Sequence, residues 1–313
     1  MLMPFNNLLV FFFSFIAILF GAGLIVKSVD RFSHKLHLSS FAVSFFLLGM
    51  LTSIPEFAVG LSSISEGNPE IFVGNLIGGV AVIFFLVIPL LAIFGNGIRL
   101  NSQLTNKNLL FSFFAMFSPA LFLLDRKITN WEGVTLIGIY GFLFYLIEKK
   151  KGVFDGKHTD VLHTHSYSFI DILKILLGVG IVFVSSNVIV DKTILFAHDL
   201  NISPFYISLI ALSIGTNLPE LSLAVRSIIV KKKDIAFGDY VGSAAANTFL
   251  FGLFTLMNTS EVVTSTSFLK TFLLIGFGLG IFYYFTKSKH DISRKEGMIL
   301  LVYYFFFAVV ESL

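Results

Sequence analysis

The chain of 313 residues contains no cysteine, which excludes disulfide frameworks, thiolate metal centres and cysteine nucleophiles. Charge is also scarce. Only 13% of residues are Asp, Glu, Lys or Arg, too few to cover the surface of a water-soluble domain of this length. There is one tryptophan, and there are only seven prolines. No Ser/His pair and no His/Glu zinc motif falls within an apolar stretch, so the sequence gives no support to an intramembrane hydrolase. What is abundant is apolar: 56% hydrophobic residues, 39 of the total phenylalanine, and a mean hydropathy of +0.88. Because about 20 apolar residues suffice to cross a bilayer and such runs recur throughout, the membrane is this chain's principal solvent.

Apolar windows bounded by charged or Gly/Pro/Asn-rich segments predict ten spans: 8–27, 40–64, 70–95, 108–124, 131–148, 169–190, 203–229, 235–257, 267–286 and 296–312. The fourth and fifth are separated by a very short connection, 125–132. Leu8–Val26 lacks a basic leader and a small-residue cleavage signature, and is read as a retained first helix. With the N-terminus outside, 18 of the 22 Lys and Arg residues fall on the cytoplasmic side. The exceptions are Arg126, Lys127, Lys192 and Lys270. This bias predicts both termini outside.

The chain also repeats itself. Shifted by 164 positions, Ser39–Gly78 aligns on Ser203–Gly242 without a gap, with 12 of 40 residues identical. Five predicted spans separate the copies. An odd number reverses the direction of entry into the membrane, so the expected architecture is all-α, with ten transmembrane helices in two inverted five-helix repeats and broken helices at the centre. Residues 1–148 form the first half, with its repeat at about 39–88. Residues 149–168 form a cytoplasmic linker. Residues 169–313 form the second half, with its repeat at about 203–252.

Within the repeats, Gly49-Met50-Leu51-Thr52-Ser53-Ile54-Pro55-Glu56 matches Ser213-Ile214-Gly215-Thr216-Asn217-Leu218-Pro219-Glu220. A proline inside a helix removes a donor and displaces the carbonyl one turn earlier, so carbonyls near Gly49–Thr52 and Ser213–Thr216 are expected to be free. Of the 19 acidic residues, Glu56 and Glu220 alone lie near mid-span, and Asp239 is the next deepest. One such glutamate could serve helix–helix bonding. Two at equivalent positions point to an ion path, because charge in the bilayer is costly. Carboxylates with hydroxyl, amide and carbonyl oxygens suit hard cations such as calcium and sodium. Each glutamate is followed 18 residues later by a glycine-rich helix start, Gly74-Asn75-Leu76-Ile77-Gly78 and Gly238-Asp239-Tyr240-Val241-Gly242, with glycines spaced for close helix approach.

These segments resemble the two alpha-repeats of the calcium/cation antiporter superfamily, which includes the sodium/calcium exchangers. The resemblance implies a central calcium site at Glu56, Glu220 and the backbone oxygens of Thr52 and Thr216. It also implies flanking sodium sites using Ser53, Asn217 and Ser243 with the carbonyls of Gly49 and Ser213; Asn247 keeps its polar character nearby. The chain departs from the family pattern at Leu51, Gly79, Ile83, Asn217, Asp239 and Ala244. Gly79 and Ile83 stand where the family has oxygen-bearing side chains, which predicts a weaker set of ligands in the first half.

The expected function is therefore exchange of calcium for sodium by alternating access, with the first and sixth spans sliding on the core. Proton/calcium exchange at the same site and a non-exchanging channel or scaffold are the competing readings. The substrates would be calcium and a monovalent cation, sodium or a proton. No cofactor, nucleic-acid partner or obligate protein partner is expected beyond the lipid bilayer. The short linker favours a prokaryotic cell membrane. Its His158, His163 and His165, with Asp155 and Asp160, could bind metal or sense pH, but no helical spacing fixes them. Lys231–Lys233 is read as a topology or headgroup signal, and Gly276–Gly280 as helix packing.

Overall fold

The computed structural model describes residues 5–33, 49–99, 106–148, 169–229, 233–258, 261–264, 268–289 and 291–312. The start of the second expected span, 40–48, and the histidine-bearing linker lie outside the described residues.

Almost every described element is helical. The helices are α1 (Phe5–Ser33), α2 (Gly49–Thr52), α3 (Ile54–Ser65), α4 (Glu70–Phe94), α5 (Asn106–Phe122), α6 (Asn130–Glu148), α7 (Phe169–Leu200), α8 (Pro204–Thr216), α9 (Leu218–Ile229), α10 (Lys233–Met257), α11 (Leu269–Lys289) and α12 (Arg294–Ser312). Segments of α1, α4, α5, α6, α7, α10 and α11 are long and apolar enough to cross a membrane. Their outer faces carry exposed apolar side chains such as Phe12, Phe13 and Phe20, each about three-fifths exposed, which only a lipid surround solvates well.

α7 extends ten residues beyond the expected end at 190. The charges at Asp191 and Lys192 read as a loop signal, yet they belong to the helix, and Lys192 Nζ donates to Asn7 Oδ1 of α1 at 3.0 Å. The helix stops where Asn201 turns to positive φ (54°), and the next begins at Pro204, capped by the Ser203 hydroxyl accepting from Phe205 N–H at 3.1 Å. The short connection before α6 is real. It closes with a capping box in which Glu132 Oε2 accepts from the Thr129 N–H (2.8 Å) and hydroxyl (2.9 Å). Ser293 and Glu296 build the same box before α12, with both bonds at 2.7 Å.

The 164-residue offset organises the described elements far beyond the aligned 40 residues. It carries the start of α1 onto the start of α7, α6 onto α12, and the break at Ser53 onto that at Asn217. It also carries the two-residue strand β1 (Ile98–Arg99) onto β3 (Val262–Val263), and β2 (Lys127–Ile128) onto β4 (Asp291–Ile292). These strands pair across the offset, β1 antiparallel with β4 and β2 with β3.

The helices around the two breaks also pack crosswise. α2 lies on α10 and α8 on α4, at distances only glycine permits. A Cβ on Gly49 would meet the backbone of Gly242 and Ser243 at 2.6 and 2.7 Å, and one on Gly78 would collide with the Leu209 carbonyl oxygen. Phenylalanines fill the rest of the core, for example Phe72 edge-on to Phe251 and Phe84 between Phe113 and Phe282. α1 and α7 pack along each other, with Gly21 against the Gly178 carbonyl. They meet the core through Phe15, whose ring covers Gly215, and through a Ser62–Ser186 hydroxyl pair at 2.9 Å.

Candidate cation site

Each break places a glutamate in the first turn of a new helix. Pro55 and Pro219 stand second in α3 and α9, where a missing N–H costs nothing, and Glu56 and Glu220 follow them. There the unpaired N–H groups and helix dipole favour a negative charge. Both carboxylates are buried, to 1% and 0% exposure. They are near enough for the Glu220 charge to act on Glu56. The break threonines bond elsewhere: the Thr216 hydroxyl donates to Asn75 Oδ1 at 3.0 Å and the Thr52 hydroxyl to the Gly49 carbonyl at 3.2 Å.

The carbonyls of Gly49 and Ser213 are not left free as the prolines suggested. The Gly49 oxygen accepts from Ser53 N–H at 3.2 Å, the Ser53 hydroxyl at 2.8 Å and the Thr52 hydroxyl at 3.2 Å. The Ser213 oxygen accepts from Asn217 N–H at 3.2 Å and from Asn217 Nδ2 at 2.9 Å. The breaks are stabilised by the polar side chains beside them, because bilayer-depth backbone must find partners within the protein.

Beside Glu220, the Ser243 hydroxyl donates to Oε1 at 2.6 Å and stands 3.2 Å from the Ser53 hydroxyl. Gly79 supplies no side-chain oxygen, as its sequence implies, and the space beside it is filled. A Cβ there would lie 2.7 Å from Asn247 Nδ2 and 3.2 Å from Asn217 Nδ2. Asn247 Nδ2 also donates to the Leu76 carbonyl at 3.2 Å. Ile83 is buried in the apolar core and opens a widened π-turn, Ile83–Val87, while Ser208–Leu212 forms another just before Ser213. Such turns re-aim helix side chains near functional sites.

Around the two breaks, five buried acceptor oxygens receive no hydrogen bond: Glu56 Oε1 and Oε2, Glu220 Oε2, Asn217 Oδ1 and Asn247 Oδ1. Buried acceptors without donors are strongly disfavoured, which marks this cluster as a candidate cation site. All ten sequence-predicted site residues thus belong to the break segments and to the glycine helix beside them. Asn75, fully buried with its Oδ1 accepting from the Thr216 hydroxyl at 3.0 Å, joins them and was not singled out as a ligand. Its place directly after Gly74 in the repeat was the available signal. The side chain of Asp239 lies outside those described. Glu311 is a further buried carboxylate at the end of α12, 3.6 Å from Lys270 Nζ and apart from this cluster. Its position at a span end gave no sequence signal. Among the described residues, no three His, Asp or Glu converge.

The family model for sodium/calcium exchanger proteins matches residues 6–147 and 171–313, nearly the whole chain. The chain belongs to this family. The sodium/calcium exchanger MaX1 of Methanosarcina acetivorans is 24% identical over 347 residues, covering 97% of this chain and 98% of that protein. Among solved structures, the H+/Ca2+ exchanger CAX superposes with a TM-score of 0.76 at 14% identity, covering 97% of this chain and 85% of that one. The sodium-calcium exchanger NCX_Mj, soaked with 100 mM Na+ and 10 mM Sr2+, gives 0.66 at 21% identity, covering 99% of both. The exchanger-family chain is therefore an integral multi-pass membrane protein of the calcium/cation antiporter superfamily, a group of secondary transporters.

Proposed function

We propose that this exchanger carries calcium in one direction and a monovalent cation in the other at a site shared by Glu56 and Glu220. One observation carries the reading: two carboxylates and two asparagine oxygens at the paired breaks, all buried, include five acceptor atoms that meet no donor. A divalent cation cancels the two negative charges and satisfies the oxygens at once. Hard oxygen ligands of mixed charge are what calcium selects. Monovalent cations compete for the same carboxylates, so each half-cycle carries one kind of occupant.

In this reading the chain has ten spans in two inverted halves, 1–148 and 169–313, joined by a cytoplasmic linker with both termini outside. The preserved 164-residue offset and the crosswise strand pairs support it. α1 and α7 slide as a pair over the core, exposing the carboxylates to alternate sides. A neutral hydroxyl pair such as Ser62–Ser186 between α7 and the core is compatible with sliding. A crevice of about 190 Å³, lined by Ser53, Met50 and Phe57 on one side and Ala246 and Leu250 on the other, reaches the edge of the site.

Sodium is the proposed counter-ion, because Ser53 and Ser243 add neutral oxygens of the kind sodium uses. The test is calcium uptake into vesicles with sodium and pH gradients imposed independently. Uptake driven by outward sodium and lost in Glu56→Gln and Glu220→Gln is the expected result. Uptake driven only by a proton gradient would transfer the role to protons. Uptake that survives both substitutions would sink the assignment.

A further inference from the structure

The repeat allows the two sides of the carboxylate pair to be compared residue for residue. Ser53 corresponds to Asn217, Gly79 to Ser243 and Ile83 to Asn247. Ser53 and Ser243 form a hydroxyl wing beside Glu220, with oxygens 3.2 Å apart and the crevice touching Ser53. The matching wing is made of Asn217 and Gly79, and there is no hydroxyl in it. The volume a serine side chain would take at position 79 is occupied by the amide nitrogens of Asn217 and Asn247.

Those amides have a fixed orientation. Each nitrogen donates to a backbone carbonyl, Asn217 to Ser213 at 2.9 Å and Asn247 to Leu76 at 3.2 Å. Flipping either amide would press oxygen against oxygen and strand the carbonyl. N–H donors repel a cation, so this wing presents the wrong end of the amide to an ion at position 79. The amide oxygens, which receive no hydrogen bond, remain free for a central cation.

We infer that Asn217, locked over Gly79 together with Asn247, is a specificity-determining residue that removes one of two equivalent monovalent-cation positions. The Ser53–Ser243 wing is then the one flanking position for a monovalent cation. The exchanger moves fewer monovalent ions per calcium than a site with two hydroxyl wings. The inference rests on Glu56 and Glu220 forming the shared site.

The test is competition of sodium against radiolabelled calcium on the purified full chain in detergent, with each variant's sodium inhibition referred to its own calcium affinity. Ser243→Ala should weaken sodium competition by about tenfold or more, whereas Asn217→Ala should change it by less than about threefold. The double variant Gly79→Ser/Asn217→Ser, which rebuilds the second wing, should raise the Hill coefficient of sodium inhibition by about one. Thermal unfolding in detergent reports that each variant is folded, since Asn217 and Ser243 also stand at the calcium site. If Asn217→Ala impairs sodium competition as strongly as Ser243→Ala, or the double variant binds calcium with an unchanged sodium Hill coefficient, the inference is overturned. Sodium that does not compete in the wild-type chain also overturns it, while leaving the central calcium site standing. Calcium binding that persists in Glu56→Gln and Glu220→Gln instead refutes the shared site on which it rests.

Discussion

Glu220 and Glu56 occupy equivalent places in duplicated segments, yet their neighbours differ in kind. Glu220 takes a 2.6 Å hydrogen bond from Ser243, backed by the Ser53 hydroxyl. Glu56 has neither oxygen hydrogen-bonded, and the wing that should mirror those hydroxyls holds amides over a glycine. The difference teaches that equivalent places in a duplicated chain fix where the charges stand but not what surrounds them. The small residue at 79 leaves room that the amides of Asn217 and Asn247 fill, because a packed interior tolerates neither a void nor a clash.

The comparison breaks most decisively at the carboxylates. Glu56→Gln and Glu220→Gln should each reduce calcium uptake by more than about 100-fold, since removing one charge from a buried multi-charge site costs several kcal/mol. Vesicle flux measures this, and a strong effect in only one of the two would show that the halves do not share the ion.

Next in size come the crosswise glycine contacts. Gly78→Ala and Gly49→Ala should each destabilise the fold by about 1–3 kcal/mol, because backbone on the facing helix blocks the added methyl and cannot swing aside. Gly23→Ala on α1, where nothing lies within 4 Å, should stay within about 0.5 kcal/mol of wild type. Thermal unfolding in detergent separates them, and equal midpoints would deny the close approach.

An effect of similar size sharpens the contrast at the wings. Ser243→Ala deletes a hydrogen bond to a charged group, worth about 1.5–3 kcal/mol, and should raise the calcium half-saturation concentration roughly tenfold or more. Asn75→Ala, which loses the Thr216 hydroxyl contact, should cost about 1 kcal/mol and raise it severalfold. Equilibrium calcium binding ranks the two. The smallest change is expected from Ser186→Ala, which loosens α7 from the core by one neutral hydrogen bond of about 1 kcal/mol. It should alter the maximal transport rate a few-fold and leave calcium half-saturation in place.

Much of this is legible in the amino-acid sequence. The helix breaks fall beside the two Thr-x-x-Pro-Glu segments because a proline followed by an acidic residue is a strong local signal of a restarted helix. Two capping boxes, Thr129 to Glu132 and Ser293 to Glu296, were equally readable and lie at the same 164-residue offset, but apolar windows pass over them. The extension of α7 through Asp191 and Lys192 was hidden because charge at a helix end looks the same as charge in a loop.

The amino-acid order alone determined the membrane as solvent, the duplication, and the two buried glutamates, since each is a local or periodic property of the chain. Only the tertiary structure decided which oxygens keep a donor and which do not. It also decided that Gly79 is a place taken by Asn217 and Asn247 and not an empty one. Those facts depend on side chains from four helices meeting within hydrogen-bond distance. No pattern along the sequence records which residues more than a hundred positions apart will share the same volume.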